Sequence, residues 1–203
     1  MDLLWSMGWR HFGTYFFSST TSWYNGRTVK VLPLRIDLAK FSLDRSQRRT
    51  LRNNEDLTVT FEPAAVDAER EGLFQRHKAR FKENVPDSLH DFLSFQPDRV
   101  PCEAKMCTVR DGARLLGTSY FDIGAEAVSA VYAMFDPDES RRGLGILMIL
   151  EEVEYARSNG FRYLYTGYCY DAPSFYDYKR RFRGTEYLDW ETREFLPLEK
   201  SSA

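Results

Sequence analysis

Cysteine is scarce in this 203-residue chain: Cys102, Cys107 and Cys169 are the three present, and no two stand in a Cys-x-x-Cys spacing. That argues against a disulfide framework and against a structural zinc site, and a reducing, cytoplasmic compartment is the expectation. Histidine is also sparse. His11, His77 and His90 lie far apart without ligand spacing, so each reads as structural or exposed. No metal and no cofactor is expected. No apolar run approaches the roughly 18 residues of a membrane span, so no membrane partner is expected. Met1-Asp2 lacks the basic start of a signal peptide. Excess charge is missing too: 28 Lys+Arg stand against 30 Asp+Glu, a net charge of −2. Any nucleic-acid binding therefore rests on local basic patches.

Hydrophobic residues make up 43% of the chain and charged residues 29%, the balance of a protein with a packed core. Aromatics reach 15%, and several adjoin Arg or Lys. Such pairs stack on bases, or pack a core and snorkel at its rim.

Alternation and turn residues predict the elements. Val29 to Phe41 reads as a strand interrupted at Pro33. Ser42 to Asn54 reads as a short basic helix, and Leu57 to Glu62 as a strand. A helix is expected from Pro63 to about Lys82, and another short helical piece from Ser88 to Phe95. Met106 to Arg110 and Arg114 to Ile123 form a predicted hairpin around Asp111-Gly112. Ala127 to Phe135 is the next strand, Arg141 to Asn159 a helix stopped at Gly160, and Phe161 to Tyr168 a further strand. This is the core order of an N-acetyltransferase-like α+β fold: a mixed sheet flanked by helices, here with an N-terminal extension. The core is expected from about Lys105 to Tyr187. A soft boundary between Asn54 and Leu57 separates a 1–56 aromatic and basic segment from a 57–203 domain, a single domain being the alternative.

The loop Arg141-Arg142-Gly143-Leu144-Gly145 precedes the long helix. Unpaired backbone N–H groups and the helix dipole favour an anion there, and the arginines add bidentate donors. The competing reading is a plain helix start with solvated arginines. Coenzyme A-dependent acetyltransferases of this fold use Gln/Arg-x-x-Gly-x-Gly/Ala for pyrophosphate; Ser140 stands in the Gln/Arg position. Asp136 is placed to take a proton from an amine, or else to cap the following turn. Arg45, Arg48/Arg49 and Arg52 share a helix face, which suits a track of phosphates or a solvated surface.

Several segments together carry a resemblance. Gly8-Trp9-Arg10-His11-Phe12-Gly13-Thr14-Tyr15, Pro33-Leu34-Arg35-Ile36, Phe41 to Asn54, Phe135-Asp136-Pro137-Asp138 with Arg142-Gly143-Leu144-Gly145, and Gly167-Tyr168 with Tyr178-Lys179-Arg180-Arg181-Phe182 occur in order. They resemble the "GFRRSG…Y", "VPLRI", "F.PSRSQRRVLRRN", "FDPD…RSLG" and "GYW…YKARF" segments of arginyl-tRNA–protein transferases and bacterial aspartate/glutamate leucyltransferases. Three departures stand out, one of them Gly143 in place of the usual Ser of "RSLG". The family's cysteine cluster has no counterpart, Ser18 to Val29 being free of cysteine. The Pro-Lys-Met before the final Tyr-Lys is replaced by Ser174-Phe175-Tyr176.

The resemblance implies transfer of an amino acid, Arg or Leu, from aminoacyl-tRNA (Arg-tRNA or Leu-tRNA) to the amine of a peptide N-terminus or of a small molecule. It implies catalytic roles for Asp136 and Tyr178. Donor contacts would come from Arg10, Arg48, Arg49, Arg52, Arg142, Gly143, Leu144, Gly145, Lys179 and Arg181, and acceptor contacts from Trp9, Tyr132 and Tyr168. An acyl-coenzyme A-dependent N-acetyltransferase and a non-catalytic tRNA- or peptide-binding relative remain as alternatives.

Overall fold

In a computed structural model, which describes residues 1–81 and 85–198, the chain begins with α1 (Asp2–Ser6), β1 (Arg10–Phe12), β2 (Tyr15–Phe17), β3 (Thr21–Tyr24) and β4 (Arg27–Asp37). Next come α2 (Arg45–Arg52), β5 (Thr58–Pro63), α3 (Ala68–Lys78), β6 (Ala104–Asp111), β7 (Arg114–Ile123) and β8 (Ala127–Phe135). It ends with α4 (Leu144–Ser158), β9 (Tyr163–Tyr170), β10 (Thr185–Leu188) and β11 (Phe195–Pro197). Short 3-10 segments lie at Leu89–Asp91, Pro137–Arg142 and Phe175–Arg181.

Among the described residues nine strands share one sheet, ordered β11-β10-β4-β9-β8-β7-β6-β5, with β3 also bonded to β4. Neighbours run antiparallel except β8 and β9, which are parallel and are joined through α4. This is the N-acetyltransferase-like fold expected from the sequence. The N-terminal residues build its middle, because β4 lies between β10 and β9. Pro33 is tolerated there although it cannot donate to a ladder. On one side of β4 it falls between the β3 partners, which end at Lys30, and the β10 partners, which start at Leu34.

Both sheet faces are covered. α4 packs one face through Leu147, Met148 and Val153 against Ile36, Val109, Phe121 and Val128. α3 packs the other through Leu73 and Phe74, with Met106, Tyr120 and Met134. Each fully buried Leu, Phe or Met of this kind stabilises the fold by about 1.5–3 kcal/mol. With both faces covered, β6 and β7 are buried along most of their length.

Some boundaries differ from expectation. Pro63 does not open a helix; it ends β5, an edge strand where a missing N–H costs little. The helix begins at Ala68, where the Asp67 carboxylate accepts the Arg70 N–H at 2.8 Å. It ends at Lys78; the expected end near Lys82 lies outside the described residues. Ser88 to Phe95 holds a single 3-10 turn. Arg141 and Arg142 belong not to α4 but to the preceding 3-10 turn, and Gly143 at φ +69° breaks the two apart. The last predicted strand shifts by two residues to Tyr163–Tyr170.

Candidate active site

The parallel strands meet only where Ala127–Ser129 pair with Tyr163–Tyr165. Beyond that point they part, and polar side chains enter the gap. Arg10 donates from Nη1 to Ser129 Oγ at 2.6 Å and from Nη2 to the Ala130 carbonyl. Lys179 Nζ donates to the Tyr168 carbonyl at 3.5 Å. The same ammonium sits 3.1 Å from where a Cβ on Gly167 would stand. Gly167 has φ +92°, open to glycine and strained for other residues. α4 contributes Glu152, only 1% exposed. Ser119 Oγ donates to Glu152 Oε1 at 2.5 Å, while Oε2 has no partner. Tyr132 Oη and Thr166 Oγ1 are also buried and without a partner. An unmet buried polar group costs about 1–3 kcal/mol. These three atoms lie on α4, β8 and β9, the elements that border the gap.

The charges are tuned toward neutrality. Burial pulls the Lys179 ammonium down to about 8, with Arg10 acting in the same direction and Cys169 and Glu152 opposing. Burial pushes the Glu152 carboxyl up to about 7 against the Ser119 bond and the Lys179 charge. Burial pushes the Tyr178 hydroxyl up to about 12, so near neutral pH it stays protonated, able to donate and no base. Arg80, just past α3, lays its guanidinium 4.7 Å from the Phe135 ring centre and 5.8 Å from that of Phe175. It acts electrostatically on Tyr132 and Tyr178. Of the cations here, Lys179 interacts electrostatically with buried Glu152, Arg10 with Asp122, and Arg80 with the Tyr132 and Tyr178 hydroxyls.

Asp136 and the basic loop lie at the far end of β8. The Asp136 carboxylate is 3% exposed, accepts the Asp138 N–H at 3.1 Å and pairs with Arg114 at 3.0 Å. Burial opposes its ionisation, but Arg114, the Asp138 N–H and Arg76 outweigh that and hold the carboxyl below its ordinary value. That arrangement is a cap and an ion pair, and it makes a weak base. Arg142 spans Asp56 at 3.1 and 3.0 Å and Glu139 at 3.1 Å. Its carbonyl accepts from Asn54 Nδ2 at 3.0 Å, and Thr50 lies under Gly143. α2 therefore braces this loop. It leaves Arg45, Arg48, Arg49, Arg52 and Arg141 exposed. A capping box orients α2: Asp44 accepts the Gln47 N–H while Gln47 accepts the Asp44 N–H.

The expected site residues thus fall into two groups. Arg10, Tyr132, Tyr168, Tyr178 and Lys179 gather at the strand gap. Arg48, Arg49, Arg52, Arg142, Gly143 and Gly145 gather at the start of α4. Leu144 points into the core at 1% exposure, so only its backbone is available. Trp9 is partly buried beside Arg10, and Arg181 is exposed at the end of its turn. Glu152, Ser119, Thr166 and Arg80 were not foreseen. Glu152 carried a signal: it stands four residues after Met148 and four before Ala156, both fully buried.

His11 is brought to Asp122 and Cys102, with ligand atoms within 4.8 Å of one another. Its Nε2 meets Asp122 Oδ2 at 2.6 Å and its Nδ1 meets the Gly13 carbonyl at 2.9 Å. The bonds tie the β1–β2 hairpin to β7. Among the described residues no helix is long and apolar enough to cross a membrane.

A family model described as "Arginine-tRNA-protein transferase, C terminus" matches residues 69–189. The chain belongs to this family. The aspartate/glutamate leucyltransferase of Stenotrophomonas maltophilia (strain R551-3) is a relative with 34% identity over 164 residues, covering 77% of this chain. The chain spans 65% of that protein's length. The leucyltransferase of Hahella chejuensis (strain KCTC 2396) is 30% identical over 90% of this chain and 77% of its own length. Solved structures share the fold: L-PGS from Bacillus licheniformis at TM-score 0.55 and 13% identity, covering 86% of this chain and 52% of that one. FemX aligns at TM-score 0.52 and 10% identity, over 86% of this chain and 60% of its own.

Proposed function

We propose that this family member is an aminoacyltransferase that moves an amino acid from aminoacyl-tRNA to the amine of an acidic acceptor. The observation that carries the reading is the gap between β8 and β9, where Lys179 rests on Gly167 with Glu152 buried in reach of its charge. An aminoacyl ester is already activated, so orientation and a proton acceptor suffice. An α-amine titrates at about 7.7–8.0, and Lys179 at about 8. A proton therefore passes between them with little free-energy change. Neutral Lys179 takes a proton as the amine nitrogen bonds to the ester carbonyl carbon. It returns that proton to the ribose oxygen as the ester C–O bond breaks. The Glu152 carboxylate biases the charge of Lys179. Tyr178, a donor at neutral pH, suits the oxyanion.

Leucine is the favoured donor residue. The curated relatives are named leucyltransferases, and Arg10, Arg80 and Lys179 would repel an arginine side chain. The same cations favour an acceptor with an Asp or Glu side chain, whether peptide or small molecule. The exposed arginines of α2 supply phosphate contacts. The test is incubation with labelled Leu-tRNA, Arg-tRNA and acetyl-coenzyme A, each with a peptide starting in Asp and with free amines. Label from Leu-tRNA in the Asp peptide is expected. Label from acetyl-coenzyme A alone would replace the reading with an acetyltransferase.

A further inference from the structure

A row of aromatic rings leads away from the strand gap. Tyr178 lies 6.2 Å from Phe175, Phe175 5.9 Å from Tyr176, Tyr176 5.6 Å from Tyr170, and Tyr170 5.0 Å from Tyr24. The Phe175 N–H donates to the Tyr24 hydroxyl at 3.4 Å, which ties the 3-10 turn to the β3–β4 hairpin. The row is not core. Phe175 is 66% exposed and Tyr176 37%, and Tyr24 and Tyr170 are half-buried. Cations accompany it: Arg80 at 5.8 Å from Phe175 and Lys179 Nζ at 5.3 Å from Tyr176, with Arg180 and Arg181 ending the same turn. Arg80 also rests on Phe135, against which Gly145 packs. The rings therefore continue into the basic surface at the start of α4. The two stretches that meet here, Ser18–Val29 and Ser174–Tyr176, are among the places where the sequence departs from the family's segments.

Exposed rings beside cations are what an unpaired nucleic-acid strand needs, the bases stacking and the phosphates pairing. An acidic acceptor engages the cations of the gap and leaves Arg180 and Arg181, at the end of the 3-10 turn, for phosphates. We propose that Tyr24, Tyr170, Phe175 and Tyr176 form a stacking platform for the unpaired 3′ end of the donor RNA, which carries its terminal ester toward Lys179. This rests on the donor being a tRNA.

The probe is a 5′-labelled ribo-oligonucleotide, ACCA, titrated into the full chain by fluorescence anisotropy. The parent is expected to bind it. Phe175→Ala and Tyr176→Ala should each weaken binding roughly tenfold. Phe175→Trp should retain affinity and Phe175→Leu should not. Thermal midpoints should stay close to the parent's, since these rings are exposed. A parent that ignores the oligonucleotide, or a Phe175→Leu protein that binds it as the parent does, overturns the platform. Weakened binding of an Asp-initiated peptide in these variants, with RNA affinity unchanged, would also overturn it and assign the surface to the acceptor. Transfer from Leu-tRNA, measured beside it, separates the two readings. Transfer with unaltered variants sinks the platform alone. Ring-dependent RNA binding without transfer by the parent supports the platform and removes the enzyme.

Discussion

The Lys179 ammonium fills the space that a side chain on Gly167 would need, 3.1 Å from the position of its Cβ. One glycine thus sets both the bend of β9 and the seat of the proposed proton carrier.

Gly167→Ala is expected to do two kinds of damage. It forces φ +92° on a residue with a side chain, a strain of about 1–2 kcal/mol. In a chain of this size that lowers the thermal midpoint by about 3–6 °C. It also displaces Lys179, so kcat should fall by about tenfold or more while tRNA affinity changes little. An unchanged kcat would remove Lys179 from the reaction.

The Lys179–Glu152 pair predicts a movable pH limb. kcat should rise through a half-point near 8 as Lys179 loses its proton. Glu152 raises the Lys179 value, so Glu152→Gln should move the half-point lower. A limb belonging to the acceptor amine would stay in place. Lys179→Arg keeps the charge but cannot release a proton, and should cost about 10²–10⁴-fold in kcat.

The same acid predicts a stability trend. The folded-state value of Glu152, about 7, lies above its ordinary 4.5, so the folded protein binds this proton more tightly than the unfolded chain. The resulting stabilisation is complete below about pH 4.5 and lost as pH rises through 7. Gln cannot ionise, so Glu152→Gln should gain on the parent across that window by up to about 3 kcal/mol. Thermal midpoints of both proteins at pH 5, 6, 7 and 8 measure this. A constant difference would show that the carboxyl is not the group that titrates.

Local signals made part of this fold legible. Asp111-Gly112 announced the β6–β7 hairpin, and Gly112 does take a positive φ of 52°. Alternation placed β8 at Ala127–Phe135. Pro63 misled because a proline suits both the first turn of a helix and an edge strand. Which reading applies depends on β6 alone pairing with β5, a tertiary fact. The ordered segments named Arg10 and Lys179, which the fold brings to one gap although 169 positions separate them. Glu152 was hidden among Glu151 and Glu154, since only the phase of α4 decides which acid is buried. Arg80 lies on no periodic face and had no signal at all.

Asp136 is expected to act in structure rather than in proton transfer. Asp136→Asn weakens the cap and the pair with Arg114, a loss of about 1–2 kcal/mol. Because its carboxyl is held below the ordinary 3.8, that stabilisation is present above about pH 4 and lost in stronger acid. The midpoint gap between parent and variant should therefore close on acidification, and kcat at neutral pH should change by less than about threefold. A hundredfold fall in kcat with an unaltered midpoint would make Asp136 the base and displace Lys179.

Salt dependence should divide the arginines. Arg48, Arg49 and Arg52 stand exposed on one surface, while the Arg142 guanidinium is held by Asp56 and Glu139. Each phosphate that pairs with an arginine releases counterions and adds about 0.7–0.9 to the slope of log affinity against log salt. Replacing Arg48, Arg49 or Arg52 with Ala should therefore flatten the slope by about that amount for each phosphate left unpaired, and weaken tRNA binding a few-fold near physiological salt. Arg142→Ala should instead loosen the brace between α2 and α4, lowering the thermal midpoint with the slope unchanged. Binding of Leu-tRNA measured from about 50 to 300 mM salt decides between them. A flattened slope in Arg142→Ala would mean that its guanidinium leaves Asp56 for a phosphate in the complex.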